Sequence, residues 1–214
     1  HKSFGYKYRN RKFTKQFYFN TFMRIISGKY KGRRIVAPKK LPVRPTTDLS
    51  KESLFNILNH QFNFSELNVL DLFSGTGNMS YEFASRGSTP ITSVDEDLGC
   101  VTFIKKTAQE FDMDINAIKS DVFKFLERSK AKHDVIFADP PYNLDQAQFE
   151  KIVTLIFERE LISEDGLLIV EHSPHTKMDH LEHFSSSRKY GSSIFSFYEY
   201  ETEESDDDDD SEEE

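Results

Sequence analysis

The chain has 214 residues and a formal net charge of -8, and this length suffices for one α/β domain with a substantial core. Its single cysteine excludes an intrachain disulfide and a cysteine-based metal site, and suits a reducing compartment, so we expect a cytoplasmic protein. No apolar run approaches the ~20 residues of a membrane span, and the amino terminus lacks the apolar segment of a secretory signal.

The charge is segregated along the chain. Residues 201–214 carry eleven carboxylates, and without them the chain holds 28 basic against 25 acidic residues. The first 47 residues contain fourteen Lys or Arg and no acidic residue. Solubilising surfaces usually mix both signs, so this basic head favours a nucleic acid as partner.

Both ends of the chain have an unusual composition. Residues 1–22 alternate basic and aromatic side chains, which could form an RNA-binding arm because bases stack on aromatics while cations neutralise phosphates. The segment has no regular period, however, and the favoured interpretation is a loosely packed extension. The acidic segment 201–214 cannot bury enough apolar surface to fold, so we expect a disordered tail.

Residues 23–46 predict a basic β-hairpin and a linker. Two short strands, 24–28 and 33–37, flank a turn at 29–32, and prolines at 42 and 45 then keep the chain extended. A helix should follow, capped by Thr46, Thr47 or Asp48. Its apolar face is predicted to comprise Leu49, Ser53, Leu54, Ile57 and Leu58.

Strands and helices alternate through the predicted domain at 47–200, which is typical of a sheet covered on both faces. The predicted strands lie at 68–73, 91–94, 115–119, 134–138 and 166–171, with a closing hairpin at 185–190 and 193–200. The predicted helices after the first strand lie at 79–85, 98–111, 122–128 and 149–159. Seven strands with a terminal antiparallel pair indicate the Rossmann-like sheet of class I S-adenosylmethionine-dependent methyltransferases.

The loop after the first predicted sheet strand has the features of a cofactor site. Its candidate contacts are Asp71, Phe73, Gly75 and Gly77, where the glycines allow close backbone approach and the helix start offers free N–H groups. A dinucleotide fingerprint would need a third glycine where this chain has Ser80. An acid at position 71 would also repel a pyrophosphate but could hold an ammonium group. Both features favour S-adenosylmethionine over NAD.

Further acids follow the next two strands. Asp95 has the spacing of an acceptor for ribose hydroxyls, and Asp121 could accept from an adenine amino group while Val122 packs on the ring. Each acid alone is better explained as a helix cap. Three acids at successive strand ends, together with the glycines, favour a cofactor site because ligands bind beyond the carboxyl ends of such strands.

The fourth predicted sheet strand leads directly into Asp139-Pro140-Pro141-Tyr142. An exocyclic base amine is a poor nucleophile, since its lone pair is delocalised into the ring. The Asp139 carboxylate and the Pro140 carbonyl could accept its two hydrogens, while Tyr142 offers a face for stacking an extruded base. These catalytic candidates predict in-line methyl transfer to a base amine by positioning and charge complementarity, without a metal.

The histidines between 172 and 183 do not indicate a metal site. Pro174 interrupts any helix that could align His172 with its neighbours, so surface histidines are favoured over a zinc cluster. Cys100 falls in a predicted amphipathic helix, where packing is favoured over a nucleophilic role.

Several motifs together resemble those of the RsmD-like family of bacterial 16S ribosomal RNA guanine-N2 methyltransferases. The resemblance runs from Met23 to about Tyr200 and rests on Arg24 to Arg34, Arg44-Pro45-Thr46-Thr47-Asp48, Leu54 to Leu58, Asp71 to Gly77 and Asp139 to Tyr142. It implies methylation of a guanine N2 amine in 16S rRNA of the small ribosomal subunit. It also implies RNA contacts from the hairpin and linker, for which the candidates are Arg24, Lys29, Lys31, Arg33, Arg34 and Arg44.

Two other functions remain open from the sequence. A DNA adenine-N6 methyltransferase normally has a sizeable target-recognition domain, and no segment between these motifs is long enough for one. A non-catalytic RNA-binding protein of ribosome assembly would tolerate loss of Asp139 or Gly75, and both are present. We expect a monomer.

Overall fold

The computed structural model describes residues 22–41 and 47–201. The predicted contact Arg44, the amino-terminal extension before Phe22 and the acidic tail after Glu201 lie outside the described residues. The domain boundaries predicted at 22/23, 46/47 and 200/201 therefore remain predictions.

Strands and helices alternate in the described chain much as the sequence predicts. The strands are β1 (Phe22–Arg24), β2 (Arg34–Val36), β3 (Val69–Leu72), β4 (Ile91–Asp95), β5 (Ile115–Lys119), β6 (His133–Ala138), β7 (Ile162–His172), β8 (Phe184–Tyr190) and β9 (Ser193–Tyr198). The helices are α1 (Asp48–Gln61), α2 (Asn78–Arg86), α3 (Leu98–Glu110), α4 (Val122–Arg128) and α5 (Gln146–Glu158). A short 3₁₀ turn at Phe64–Glu66 was not predicted.

The central sheet has seven strands in the order β5-β4-β3-β6-β7-β9-β8. Strands β3 to β7 pair in parallel, and β9 pairs antiparallel with both β7 and β8, which confirms the predicted closing hairpin. The strand order reverses at β3, which has β4 on one side and β6 on the other. Ligands bind beyond the carboxyl ends of strands at such a reversal, so the ends of β3 and β6 are where a site is expected.

Alternate residues of the central strands pack against helices on opposite faces. On one face Leu70 and Ile136 join a core that includes Leu126 of α4 and Ile152 of α5. On the other face Val69 and Phe137 pack with residues of α1 and α2. Burial on both faces explains why these strands consist of nearly continuous apolar residues.

Helix α1 begins where predicted, and Leu54 and Leu58 of its predicted face are buried, but Leu49 is not. The Thr47 hydroxyl accepts a hydrogen bond from the Ser50 amide at 3.1 Å and caps the helix. Leu49, predicted to be apolar core, is 72% exposed, whereas Lys51 is 1% exposed. The buried face is thus shifted toward Lys51 and Phe55, which the predicted apolar face did not include, and a buried carboxylate, described below, neutralises Lys51.

The predicted antiparallel hairpin is present, but β1 lies earlier than predicted and shares only Arg24 with the segment 24–28, while β2 lies within the predicted 33–37. Met23 and Ile35 face each other and join a core cluster with Tyr81 and Ile104, so the hairpin is packed onto α2 and α3. At the hairpin turn the chain passes so close to α2 that the amide of Lys29 donates to the Ser85 carbonyl at 2.6 Å.

Gly28 and Gly32 provide a matched test of this docking. Both have φ of +82°, but a Cβ on Gly28 would lie 1.8 Å from the Ser85 carbonyl oxygen, whereas a Cβ on Gly32 would meet nothing within 4 Å. We expect Gly32→Ala to lower the free energy of unfolding by about 1 kcal/mol from backbone strain alone. Gly28→Ala should cost roughly 2–4 kcal/mol, because the hairpin must also move off α2. Equal urea denaturation midpoints for the two variants would contradict the docking.

Candidate active site

A cavity of about 980 Å³ lies at the carboxyl ends of the central strands. Its wall combines the loop after β3, the ends of β4 and β5, and the segment after β6. Eight of the ten predicted cofactor and catalytic residues line it, namely Asp71, Phe73, Gly75, Asp95, Asp121, Val122, Asp139 and Tyr142. The sheet therefore brings together residues that are up to 71 positions apart in the chain.

Two predicted contacts do not line the cavity. Gly77 is the N-cap of α2 with φ of +87°, and a Cβ there would lie 2.8 Å from the Tyr81 ring and 2.9 Å from Ile104. This glycine therefore allows close packing between α2 and α3, and its direct contact with the cofactor stays a prediction. Pro140 is buried behind the wall, while its neighbours Asp139 and Pro141 reach the cavity.

Asp71 is the most deeply buried acid of the site, with 1% exposure. Its Oδ2 accepts hydrogen bonds from the Ser80 amide at 3.1 Å and from the Ser80 hydroxyl, which also lies 2.6 Å from the Ser93 hydroxyl. Burial raises the pKa of Asp71 to about 7; the Ser80 hydrogen bonds lower it and the nearby Asp95 raises it further. The sequence excluded a dinucleotide fingerprint at Ser80 but missed that its side chain orients Asp71.

Asp95 and Asp121 line the cavity and also organise its backbone. Asp95 accepts from the Gly75 amide at 2.8 Å and from the Asp97 amide at 2.9 Å, which joins the loops after β3 and β4. Asp121 accepts from the Lys124 amide at 2.9 Å and caps α4. The cap and the cofactor interpretations of these acids are therefore compatible, because each carboxylate retains further acceptor lone pairs.

Asp139 and Tyr142 form the part of the wall that follows β6. Ala138 pairs with Leu72 of β3, and the Asp139 amide donates to the Leu72 carbonyl at 3.4 Å, so this motif lies beside the cofactor loop. Tyr142 is 65% exposed. A large aromatic side chain that is exposed at a cavity rim is available to a stacking ligand.

The site is chemically suited to S-adenosylmethionine. Three carboxylates suit a ligand that carries a sulfonium and an ammonium group, and its hydroxyl and amino groups require acceptors. The Ser74 hydroxyl lines the cavity, is buried, and has no hydrogen-bond partner among the described residues. A Cβ on Gly75 would meet nothing within 4 Å, which leaves open space beside the loop.

Sequence reasoning missed several wall residues besides Ser74. Asn78, Glu96, Asp97 and Gln148 also line the cavity. Glu96 and Asn78 adjoin predicted contacts in sequence, so proximity was a usable signal. Gln148 gave no signal, because only the tertiary fold brings the first turn of α5 to the rim.

The hairpin cations are all exposed, as an RNA contact requires. The Arg24 guanidinium bonds the Asp48 carboxylate at 2.8 Å, Lys29 lies 5.0 Å from the centre of the Tyr30 ring, and Arg34 lies 4.9 Å from that of Phe22. Lys31 is in the turn, and Arg33 directly precedes β2. The Arg24 guanidinium is therefore already paired with a carboxylate, whereas the cations of the turn and of β2 are exposed to solvent.

One histidine expectation was wrong and the cysteine expectation was right. His172 is 4% exposed, its Nε2 lies 2.8 Å from the Ser196 hydroxyl, and burial lowers its pKa. It is buried because β7 extends to residue 172 and pairs there with β9. Cys100 is fully buried in α3, which confirms the packing role.

Comparison with known proteins gives the family. The family described as "Conserved hypothetical protein 95" matches residues 23–199. The putative rRNA methyltransferase YlbH of Bacillus subtilis is 35% identical over 156 residues, which cover 70% of this chain and 82% of that protein. This chain belongs to the RsmD-like methyltransferase family.

Two further relatives agree with membership of the RsmD-like family. The ribosomal RNA small subunit methyltransferase D of Escherichia coli is 29% identical over 150 residues, covering 70% of this chain and 74% of that protein. The solved structure of the putative methyltransferase yhhF from Escherichia coli superposes with a TM-score of 0.71 at 25% identity. That match covers 83% of this chain and 97% of that chain. The fold is thus that of class I methyltransferases.

No helix among residues 22–41 and 47–201 is long and apolar enough to cross a membrane. Those residues also contain no group of three His, Cys, Asp or Glu side chains that could hold a metal ion.

Proposed function

We propose that this RsmD-like protein transfers a methyl group from S-adenosylmethionine to the N2 amine of a guanine in 16S ribosomal RNA. The observation that carries the proposal is one cavity whose wall holds both the acids suited to the cofactor and the Asp139–Tyr142 motif. Relatives named as rRNA methyltransferases support rRNA as the substrate.

The residues of the cavity have separate tasks. S-adenosylmethionine supplies an electrophilic methyl group on a sulfonium when it is bound. Asp71, Asp95 and Asp121 would bind and orient the cofactor. Asp139 would accept a hydrogen bond from the target amine, so that the nitrogen lone pair is directed at the methyl group, and could take up the proton that the nitrogen loses on methylation. Tyr142 stacks on the base. The Pro140 carbonyl as second acceptor stays a prediction.

The hairpin provides the RNA contact in this proposal, and it adjoins the cavity. The Thr76 hydroxyl, in the cofactor loop, donates to the sulfur of Met23 in β1 at 3.2 Å. Thr76 lines the cavity, whereas Arg33 and Arg34 lie exposed at the other side of the hairpin. In this proposal, phosphates bound at these arginines belong to the same RNA whose base stacks on Tyr142.

The choice of guanine N2 over adenine N6 rests on the family, because Asp139 and Tyr142 would bind either amine. Four further statements stay predictions: that the small subunit is the preferred particle, that the protein is a monomer, that it binds no metal, and that it is cytoplasmic.

The deciding experiment is transfer of tritiated methyl groups to undermethylated small ribosomal subunits, naked 16S rRNA and DNA. Incorporation into N2-methylguanine of rRNA is expected. Incorporation into DNA alone would overturn the proposal, and none anywhere would favour the RNA-binding protein.

Replacing both Arg33 and Arg34 by alanine tests the hairpin. Each lost phosphate contact should reduce the slope of log affinity against log salt by roughly 0.7 to 0.9, and RNA affinity should fall at low salt. The measurement is a filter-binding titration at several salt concentrations. The control is the double variant Lys130→Ala with Lys132→Ala. Both residues are exposed cations near the amino end of β6, whereas the cavity lies at the carboxyl ends of the strands. An equal loss in both variants would contradict a hairpin-specific contact.

A further inference from the structure

A buried ionic cluster lies outside the cavity, between the hairpin, α1 and α2. Lys51 of α1 is 1% exposed and Glu82 of α2 is fully buried, with Lys51 Nζ 3.3 Å from Glu82 Oε2. Arg86 completes the cluster, its Nε lying 3.0 Å from Glu82 Oε1. None of the three lines the cavity. The function proposed above has not required them.

The Lys51 ammonium bonds three different parts of the protein. It donates to the Arg24 carbonyl of β1 at 2.6 Å and to Asn78 Oδ1 at 2.9 Å, in addition to the ion pair with Glu82. An ammonium has three protons, so this set uses its full donor capacity. Asn78 is the first residue of α2 and lines the cofactor cavity. One side chain therefore bridges the hairpin backbone and the cavity wall.

Glu82 holds the next part of the hairpin. Its two carboxylate oxygens accept from the amides of Ile26 at 2.8 Å and Ser27 at 3.0 Å. Ser85, one turn further along α2, donates to the Ser27 carbonyl and accepts from the Tyr30 amide, at 2.6 and 3.0 Å. The hairpin backbone is thus bonded to α2 by directional contacts, and α2 begins at the cofactor loop.

Stability alone does not account for this arrangement. Burying an ion pair costs desolvation free energy, and the attraction between the two charges often does no more than offset that cost. Apolar residues of similar volume commonly stabilise a protein as much as a buried ion pair does. Charged hydrogen bonds differ from apolar contacts in fixing direction as well as distance. What the cluster provides is a defined geometry between Arg24 and Asn78.

We propose that Lys51 is a positioning residue that couples the RNA-binding hairpin to the cofactor loop. Cofactor binding restrains Asn78, and through Lys51 it restrains the Arg24 carbonyl and the hairpin strand. By thermodynamic reciprocity, RNA bound to the hairpin then strengthens cofactor binding. The RNA half of this statement rests on the proposed function, whereas the link from cofactor to hairpin does not.

Hydrogen–deuterium exchange of the full chain tests that link without RNA. Saturating S-adenosylhomocysteine should slow exchange of the amides at residues 25–34 about fivefold or more in the unsubstituted protein, although no described hairpin residue lines the cavity. In Lys51→Met the cofactor loop should still be protected, but the hairpin should change by less than ~2-fold. Lys51→Arg, which keeps a cation with several donors, should restore hairpin protection.

The outcomes separate positioning from a merely structural role. Asn78→Ala removes only the cavity end of the bridge and keeps the Lys51–Glu82 pair, so it serves if Lys51→Met does not fold. It should also reduce hairpin protection at saturating ligand to less than ~2-fold, although the Thr76–Met23 contact remains in both variants. Equal hairpin protection in the variants and the unsubstituted protein, or none in either, would overturn the proposal.

An RNA arm distinguishes failure of this inference from failure of the proposed function. The affinity for S-adenosylhomocysteine is measured with and without a saturating fragment of 16S rRNA, and the ratio should fall from about fivefold to about one in Lys51→Met. Hairpin protection by ligand without any RNA binding would retain the Lys51 link and reject the rRNA substrate. RNA binding with an unchanged affinity ratio would reject the coupling alone.

Discussion

Asp139→Ala is expected to lower the rate of methyl transfer by a factor of about 10² to 10³ while leaving affinity for S-adenosylhomocysteine within ~2-fold. The carboxylate lies on the part of the cavity wall that follows β6, where the target amine must enter. Its removal takes away an acceptor that acts only when the amine is positioned for attack. The acids suited to the cofactor come from other strand ends and are left intact. Single-turnover transfer to small ribosomal subunits and calorimetric titration of the ligand measure the two effects.

A graded series sharpens this test. Asp139→Asn retains one carbonyl acceptor of similar shape and should keep much more activity than the alanine variant. Asp165→Ala replaces an exposed acid near the start of β7 and should leave the rate unchanged. If Asp139→Ala lost cofactor affinity in proportion to activity, the residue would belong to the cofactor site and the assignment as an amine acceptor would be wrong.

Asp71→Asn is expected to weaken cofactor binding and to stabilise the folded protein. Burial raises the pKa of Asp71 from 3.8 to about 7, so the folded protein retains a proton that the unfolded chain releases between these pH values. The free energy of unfolding contributed by this group therefore falls as pH rises from about 4 to 7, and stays low above pH 7. Asparagine can accept the Ser80 hydrogen bonds without a charge. We expect a gain of up to about 4 kcal/mol at pH 8 and no gain at pH 3.

Cofactor affinity should show the complementary pH dependence. Only the ionised carboxylate attracts an ammonium group, so affinity of the unsubstituted protein should rise from pH 6 to 8, and the Asp71→Asn variant should bind about tenfold or more weakly at pH 8 with a flatter profile. Asp134→Asn is the control. Asp134 also accepts hydrogen bonds, from the Asn68 amide and the Ser163 hydroxyl, but it lies at the amino end of β6, away from the cavity. Lower stability of Asp71→Asn at pH 8 would show that the carboxylate is ionised and well solvated.

The sequence by itself determined the elements and the composition of the site. Alternating apolar strands and capped helices predicted the seven-stranded sheet, since the central strands bury both faces and several helix starts carry a side-chain cap, as at Asp97 and Asp121. The acids at successive strand ends and the motif at Asp139 could be predicted to lie close together, because parallel strands bring their carboxyl ends to one edge of the sheet. These patterns lie within short segments of the sequence, so they can be interpreted without knowing how the segments pack together.

Only the tertiary structure decided which side chains turn toward the cavity and which support it. Gly77 had the same local signal as Gly75, but contact with Tyr81 and Ile104 makes it a packing residue. Lys51 and His172 are polar residues that sequence patterns assign to the surface. They are buried because partners 31 and 24 positions away, Glu82 and Ser196, satisfy their polar groups. The physical reason is that the cost of burying a polar group depends on partners that the fold, and not the neighbouring sequence, supplies.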